Sequence, residues 1–176
     1  MNKITRGISK DFAECFKQSI LYKLYTKHPD ELFIGVRNDY LNLYYNCDSF
    51  AKIEYNKKNN IICCKINNYY LNGVSNSKTN TVDPNRIYNE YDILKKNSNN
   101  KPKVNVEKKA QSKLVILNNS NESSNWYCLD IEYKKQFNNK KERDASGFKG
   151  RFDIIAISKK VPHRVAIIEL KYGSRS

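Results

Sequence analysis

Apolar residues in the opening stretch "ISKDFAECFKQSILYKLYTKH" recur every four positions, at Phe12, Phe16, Ile20 and Leu24, with Ser9 or Asp11 in place to cap. That period sets them on one face, so a single amphipathic helix is expected here. Beyond His28 and Pro29 the texture changes to short runs of Tyr, Ile, Leu and Val: "LFIGV", "YLNLYYN", "FAKIEYN" and "IICCKIN", separated by "RND", "CDS" and "KKNN". Such runs, broken by turn formers, predict an antiparallel meander.

From Asn72 to Pro102 large apolar residues are sparse outside "IYNEYDIL", a candidate short helix, and a domain boundary is expected near the end of this stretch. The next segment, "VNVEKKAQSKLVILNN", reads as a helix with Val106, Ala110, Leu114 and Leu117 on its apolar stripe. "WYCLDIEY" is strand-like and "KKQFNNKKERDASGFKG" a charged loop. "FDIIAIS" and "RVAIIEL" are near-continuous apolar runs, the pattern of strands covered on both faces. A mixed α+β or α/β chain is expected, with a helix and antiparallel sheet in residues 1–100 and an α-β-β-β core in residues 101–176.

Charges interrupt the last two runs. If "SKKVPH" is a tight connection symmetric about Val161, Ile157 lies opposite Val165, Ile155 opposite Ile167, and Asp153 opposite Glu169. Opposed Cβ atoms are about 5 Å apart and like charges there destabilise a sheet, so a cation is expected between them. Lys171 falls on the Glu169 face, about 6.6 Å further along. Two carboxylates with open water positions suit a hard divalent cation, Mg²⁺ or Mn²⁺, and an ammonium beside them can offset charge on a phosphate. Phosphodiester hydrolysis is the chemistry that fits. The other reading is an ordinary, partly buried ion pair among Asp153, Glu169 and Lys171, helped by Arg151.

"FDIIAIS" followed by "AIIELK" resembles the signature of the PD-(D/E)XK nuclease superfamily, also called the restriction-endonuclease-like fold. There an Asp opens the second core strand, a Glu-x-Lys closes the third, and a preceding helix often carries a Glu. The resemblance runs from about Val104 to the end of the chain. It implies Asp153 and Glu169 as metal ligands for Mg²⁺ or Mn²⁺, Lys171 as the catalytic lysine, and Glu107 in "VEKKAQ" as the helix acid. The bland alternative for Glu107 is a solvated position on a Lys-rich helix. Asp130 and Glu132 in "CLDIEY", which matches the first strand of the fold, are either further ligands or outward-facing acids. Phe152 stands where the family has Pro, and the chain ends at "YGSRS" where the family continues with a helix and a fourth strand. An open apolar face on "IIAI" and "VAII" is therefore expected, to be covered by the N-terminal helix, by a second copy in a homo-oligomer or, preferably, by sequence missing from a fragment.

Composition narrows the partners. Lys and Arg number 32 against 18 Asp and Glu, a formal net charge of +14, so a polyanion is expected, a phosphate backbone or an anionic membrane; the nuclease resemblance implies nucleic acid, DNA before RNA. A bias toward Lys and Asn is the alternative source of that charge. Tyr40, Tyr44, Tyr45, Tyr55, Tyr69 and Tyr70 interleave with Lys52, Lys57, Lys58 and Lys65, a pattern that serves either base stacking or strand packing. The rival function is a non-catalytic nucleic-acid-binding or protein-interaction module that kept a nuclease-like fold. The five cysteines form no C-x-x-C pair and read as packing residues, and His28 and His163 lack partners at nucleophile or zinc spacing. No stretch approaches the roughly 20 apolar residues of a membrane span, and no signal-peptide pattern opens the chain, so a cytoplasmic protein without a membrane partner is expected.

Overall fold

A computed structural model of the protein describes residues 6–46, 48–73, 78–101, 106–133, 140–145 and 151–171. Ser19 divides the expected first helix into α1 (Lys10–Gln18) and α2 (Ile20–Lys27). Its extended backbone lets its N–H close α1 on the Phe16 carbonyl while its hydroxyl accepts from the Tyr22 N–H, so one residue ends a helix and caps the next. Ser9 caps α1 by accepting from the Phe12 N–H. Phe12, Phe16 and Leu24 of the expected stripe are buried, and beyond the break Leu21 takes the buried place expected for Ile20, which is half-buried.

The meander is present as β1 (Leu32–Val36), β2 (Leu41–Tyr45), β3 (Asp48–Asn56) and β4 (Ile61–Asn67), all antiparallel. A fifth strand, β5 (Thr79–Val82), extends the sheet in the order β1-β2-β3-β4-β5. It comes from "TNTV", whose polarity hid it. Three helices lie in or beside the polar stretch: α3 (Asn68–Asn72), α4 (Pro84–Asn89) and α5 (Tyr91–Asn99). The last two replace the single helix expected from "IYNEYDIL", and Asp83 with Pro84 starts the first of them by capping and by a pre-set φ. Leu24, Phe50, Ile53, Ile66, Ile87 and Leu94 anchor the core between these helices and the sheet. Tyr44, Tyr45 and Tyr70 are buried as packing residues.

A second antiparallel sheet, ordered β6-β7-β8, is formed by β6 (Trp126–Tyr133), β7 (Phe152–Ser158) and β8 (Val165–Ile168). It follows α6 (Val106–Ser120), and a short α7 (Lys140–Ala145) lies within the segment expected to be a charged loop. Helix α6 covers one sheet face with Leu114, Val115 and Ile116 against Ile131, Ile154 and Ala156. Its buried stripe is turned away from the expected one: Gln111 and Val115 are buried, whereas Val106 is 48% and Leu117 64% exposed. The opposite sheet face carries Ile155 and Ile157 of β7 with Val165 and Ile167 of β8, and these last two are 66% and 56% exposed. Among the described residues the runs are thus covered on one face only, not on both.

The two sheets share a seam. Phe33 of β1 and Tyr44 of β2, paired across the first sheet, belong to the core of the second. Beside them Arg37 reaches Asp130 of β6, and Gly35 leaves the space: a Cβ there would stand 2.9 Å from the Tyr44 ring and 3.0 Å from the Arg37 guanidinium. The chain is a mixed α+β fold in which no described helix is long and apolar enough to cross a membrane.

Candidate active site at the end of the β7–β8 hairpin

The hairpin adopts the register that symmetry about Val161 predicts, with Ile157 paired to Val165, Ile155 to Ile167 and Ile154 to Ile168. One step further, Asp153 and Glu169 fall opposite each other, but the ladder stops before them. Asp153 is the residue of β7 with no backbone partner on either neighbouring strand. Other groups take over. The Leu170 N–H donates to Asp153 Oδ2 at 2.7 Å, and Gln111 Nε2 of α6 donates to the Asp153 main-chain carbonyl. Asp153 is half-buried, while Glu169 and Lys171 are exposed, so the hairpin brings the three to one solvent-facing end of the sheet.

On the β6 side the ladder breaks because Glu132, which falls across from Asp153, has φ +51°. A non-glycine residue in this left-handed region is strained, and such strain concentrates where structure is held for a purpose. Its carboxylate is gripped by Lys108 Nζ at 3.1 Å and Arg151 Nη1 at 3.5 Å. Glu132 therefore gathers two cations, one from α6 and one from the start of β7, beside Asp153.

Asp130 is neither an outward-facing acid nor free to act as a ligand. It is 7% exposed, receives Arg37 Nη1 on Oδ1 at 2.6 Å and Arg6 on Oδ2, and accepts from the Ile131 N–H at 2.8 Å. Arg6 lies over the Tyr133 ring, and burial followed by repulsion from Arg37 lowers the pKa of its guanidinium. This ion cluster fastens the two sheets. Glu107, half-buried and already in contact with other groups, lies one helical turn before Gln111 and so on the same side of α6. Glu14 is remote from this end and pairs with Lys10 on α1 at 3.8 Å.

Among the described residues, no three His, Cys, Asp or Glu side chains cluster as a ready metal cage. The donor set that is present, two carboxylates at a solvent-facing edge, fits Mg²⁺, which is typically held by one or two carboxylates with water and substrate phosphate completing its shell. With Oδ2 engaged by Leu170, Oδ1 is the Asp153 oxygen that no hydrogen bond from the described residues reaches. Thiolate ligation is opposed by burial, which pushes Cys64 up to about 12 and Cys128 up to about 11. Cys47 lies outside the described residues. His28 does have a carboxylate neighbour, Glu31 at 3.1 Å, within a cluster that also holds Tyr91 and Lys95.

Gln111, Arg37 and Lys108 escape a reading of the sequence. A lone Gln between Ala110 and Ser112 carries no pattern, and Arg37 meets Asp130 across 93 residues of chain. Compared with protein-family models, with curated proteins and with solved structures, the chain matches none.

Proposed function

We propose that the chain is a metal-dependent nuclease that hydrolyses phosphodiester bonds, DNA in preference to RNA, on a fold of the PD-(D/E)XK type. The observation that carries this reading is the Leu170 N–H bond to Asp153 Oδ2, which joins the acid of β7 to the segment bearing Glu169 and Lys171. Asp153 Oδ1 and the Glu169 carboxylate supply hard oxygen donors. A bound Mg²⁺ or Mn²⁺ there contributes Lewis acidity toward a phosphate oxygen and acidifies a water. Lys171 presents an ammonium to the phosphate and offsets charge as it develops. Lys108 and Arg151, held beside the site by Glu132, add positive potential that draws a phosphate backbone toward the acids. Glu107 stands on the helix that covers this end of the sheet, the place where the superfamily often carries an acid.

A non-catalytic interaction module is favoured by a different observation, the exposed Val165 and Ile167 on the outer sheet face. The test is a cleavage assay on duplex DNA, single-stranded DNA and RNA with Mg²⁺, with Mn²⁺ and with EDTA. Cleavage of DNA only in the presence of metal is the expected result. Salt-sensitive binding without cleavage under every condition sinks the nuclease reading in favour of the module.

A further inference from the structure

We infer that Gln111 is a positioning residue for Asp153, an inference that rests on the nuclease reading above. Gln111 is 3% exposed, and burying a primary amide is costly unless it is bonded. It spends its amide donor on one acceptor, the main-chain carbonyl of Asp153. That acceptor belongs to the residue of β7 that neither sheet ladder holds. In a regular strand the neighbouring backbones fix each peptide plane; at Asp153 a side chain from α6 does it instead.

The consequence reaches the carboxylate. The Asp153 carbonyl is tied to α6, and its Oδ2 is tied by the Leu170 N–H to the segment carrying Glu169 and Lys171. These two bonds, at opposite ends of one residue, leave Oδ1 as the oxygen offered to a cation and set its direction. Groups that orient a ligand without touching the metal typically change affinity or activity by about 10- to 100-fold when removed. Releasing the carbonyl frees the peptide plane to rotate, and the ligand oxygen moves with it.

The experiment compares the full chain with Gln111→Leu and Gln111→Glu in Mn²⁺-dependent DNA cleavage as a function of pH, with DNA binding measured separately in EDTA. Gln111→Leu should lower kcat by about 10- to 100-fold, raise the Mn²⁺ concentration needed, and leave metal-free DNA binding unchanged. In Gln111→Glu an ionised carboxylate repels the Asp153 carbonyl, whereas the protonated acid can donate to it. The kcat of that variant relative to the parent should therefore climb toward unity as the pH falls. If the parent cleaves with metal and Gln111→Leu cleaves equally well, the positioning role is wrong while the nuclease reading stands. A Gln111→Glu deficit that stays constant with pH also overturns it, and decides the matter should Gln111→Leu fail to fold. A parent that never cleaves overturns both.

Discussion

Arg37 and Asp130, separated by 93 residues in sequence, meet at 2.6 Å between the two sheets with side chains only 10% exposed each. The same guanidinium donates to the Tyr44 hydroxyl at 2.8 Å and the Ile131 carbonyl at 3.1 Å. Removing one member of a buried ion pair strands the other, at a cost of about 3–5 kcal/mol. Asp130→Ala should lose about that much stability in urea unfolding, since it leaves both Arg37 and Arg6 uncompensated. Asp153→Ala, at a half-buried position, should cost less. Equal and small losses in the two variants would mean that Asp130 does not fasten the sheets.

The two faces of the second sheet make a sharper contrast. Ile154 is fully buried under α6, and Ile167, on the other face of the adjoining strand, is 56% exposed. Ile154→Ala should cost about 2–5 kcal/mol through lost transfer energy and the cavity left behind. Ile167→Ala should stay within about 1 kcal/mol, as surface substitutions do. A large loss at Ile167, measured by thermal unfolding of dilute protein, would show that this face is covered in solution.

Glu54 provides a pH test away from the site. Hydrogen bonds from Lys52 at 2.5 Å and an ion pair with Lys65 at 2.7 Å hold its carboxyl below the ordinary Glu value. A depressed native pKa contributes stability that is complete above the unfolded value and disappears as the pH falls through the native one. At a partly exposed site the contribution is at most about 1 kcal/mol. Glu54→Gln should thus be less stable than the parent at pH 7, with the gap closing in acid and shrinking in 1 M salt. A gap that persists at low pH would point to packing in place of charge.

The hairpin register was legible because "FDIIAIS" and "RVAIIEL" flank a short turn, and only one symmetric pairing lays Ile155 and Ile157 against Ile167 and Val165. The first four strands were legible for the same reason, as apolar runs between turn formers. Helix α6 was found, but its buried side was misjudged, because pattern reading counts Val106 and Leu117 as core and Gln111 as surface. A carbonyl left unpaired by a broken ladder is what makes the Gln the better occupant. The division at Ser19 was hidden because Ile20, next to the buried Leu21, carries the four-residue spacing of Phe12 and Phe16 across the break. Asp130 was left between a further ligand and an outward-facing acid, and its role as the anchor of an ion cluster was hidden because its partners, Arg6 and Arg37, lie in the other half of the chain.

The proposed nuclease site stands on Asp153 and Glu169 together holding a divalent cation at the end of the β7–β8 hairpin. Titration of the protein with Mn²⁺, followed by the loss of the free-ion paramagnetic resonance signal, measures this directly and requires no substrate. The expected result is a Mn²⁺ site in the parent, competed by Mg²⁺, that is abolished in Asp153→Ala and in Glu169→Ala and retained in Lys171→Met. Mn²⁺ uptake that is absent from the parent, or unchanged by removing either carboxylate, would contradict it.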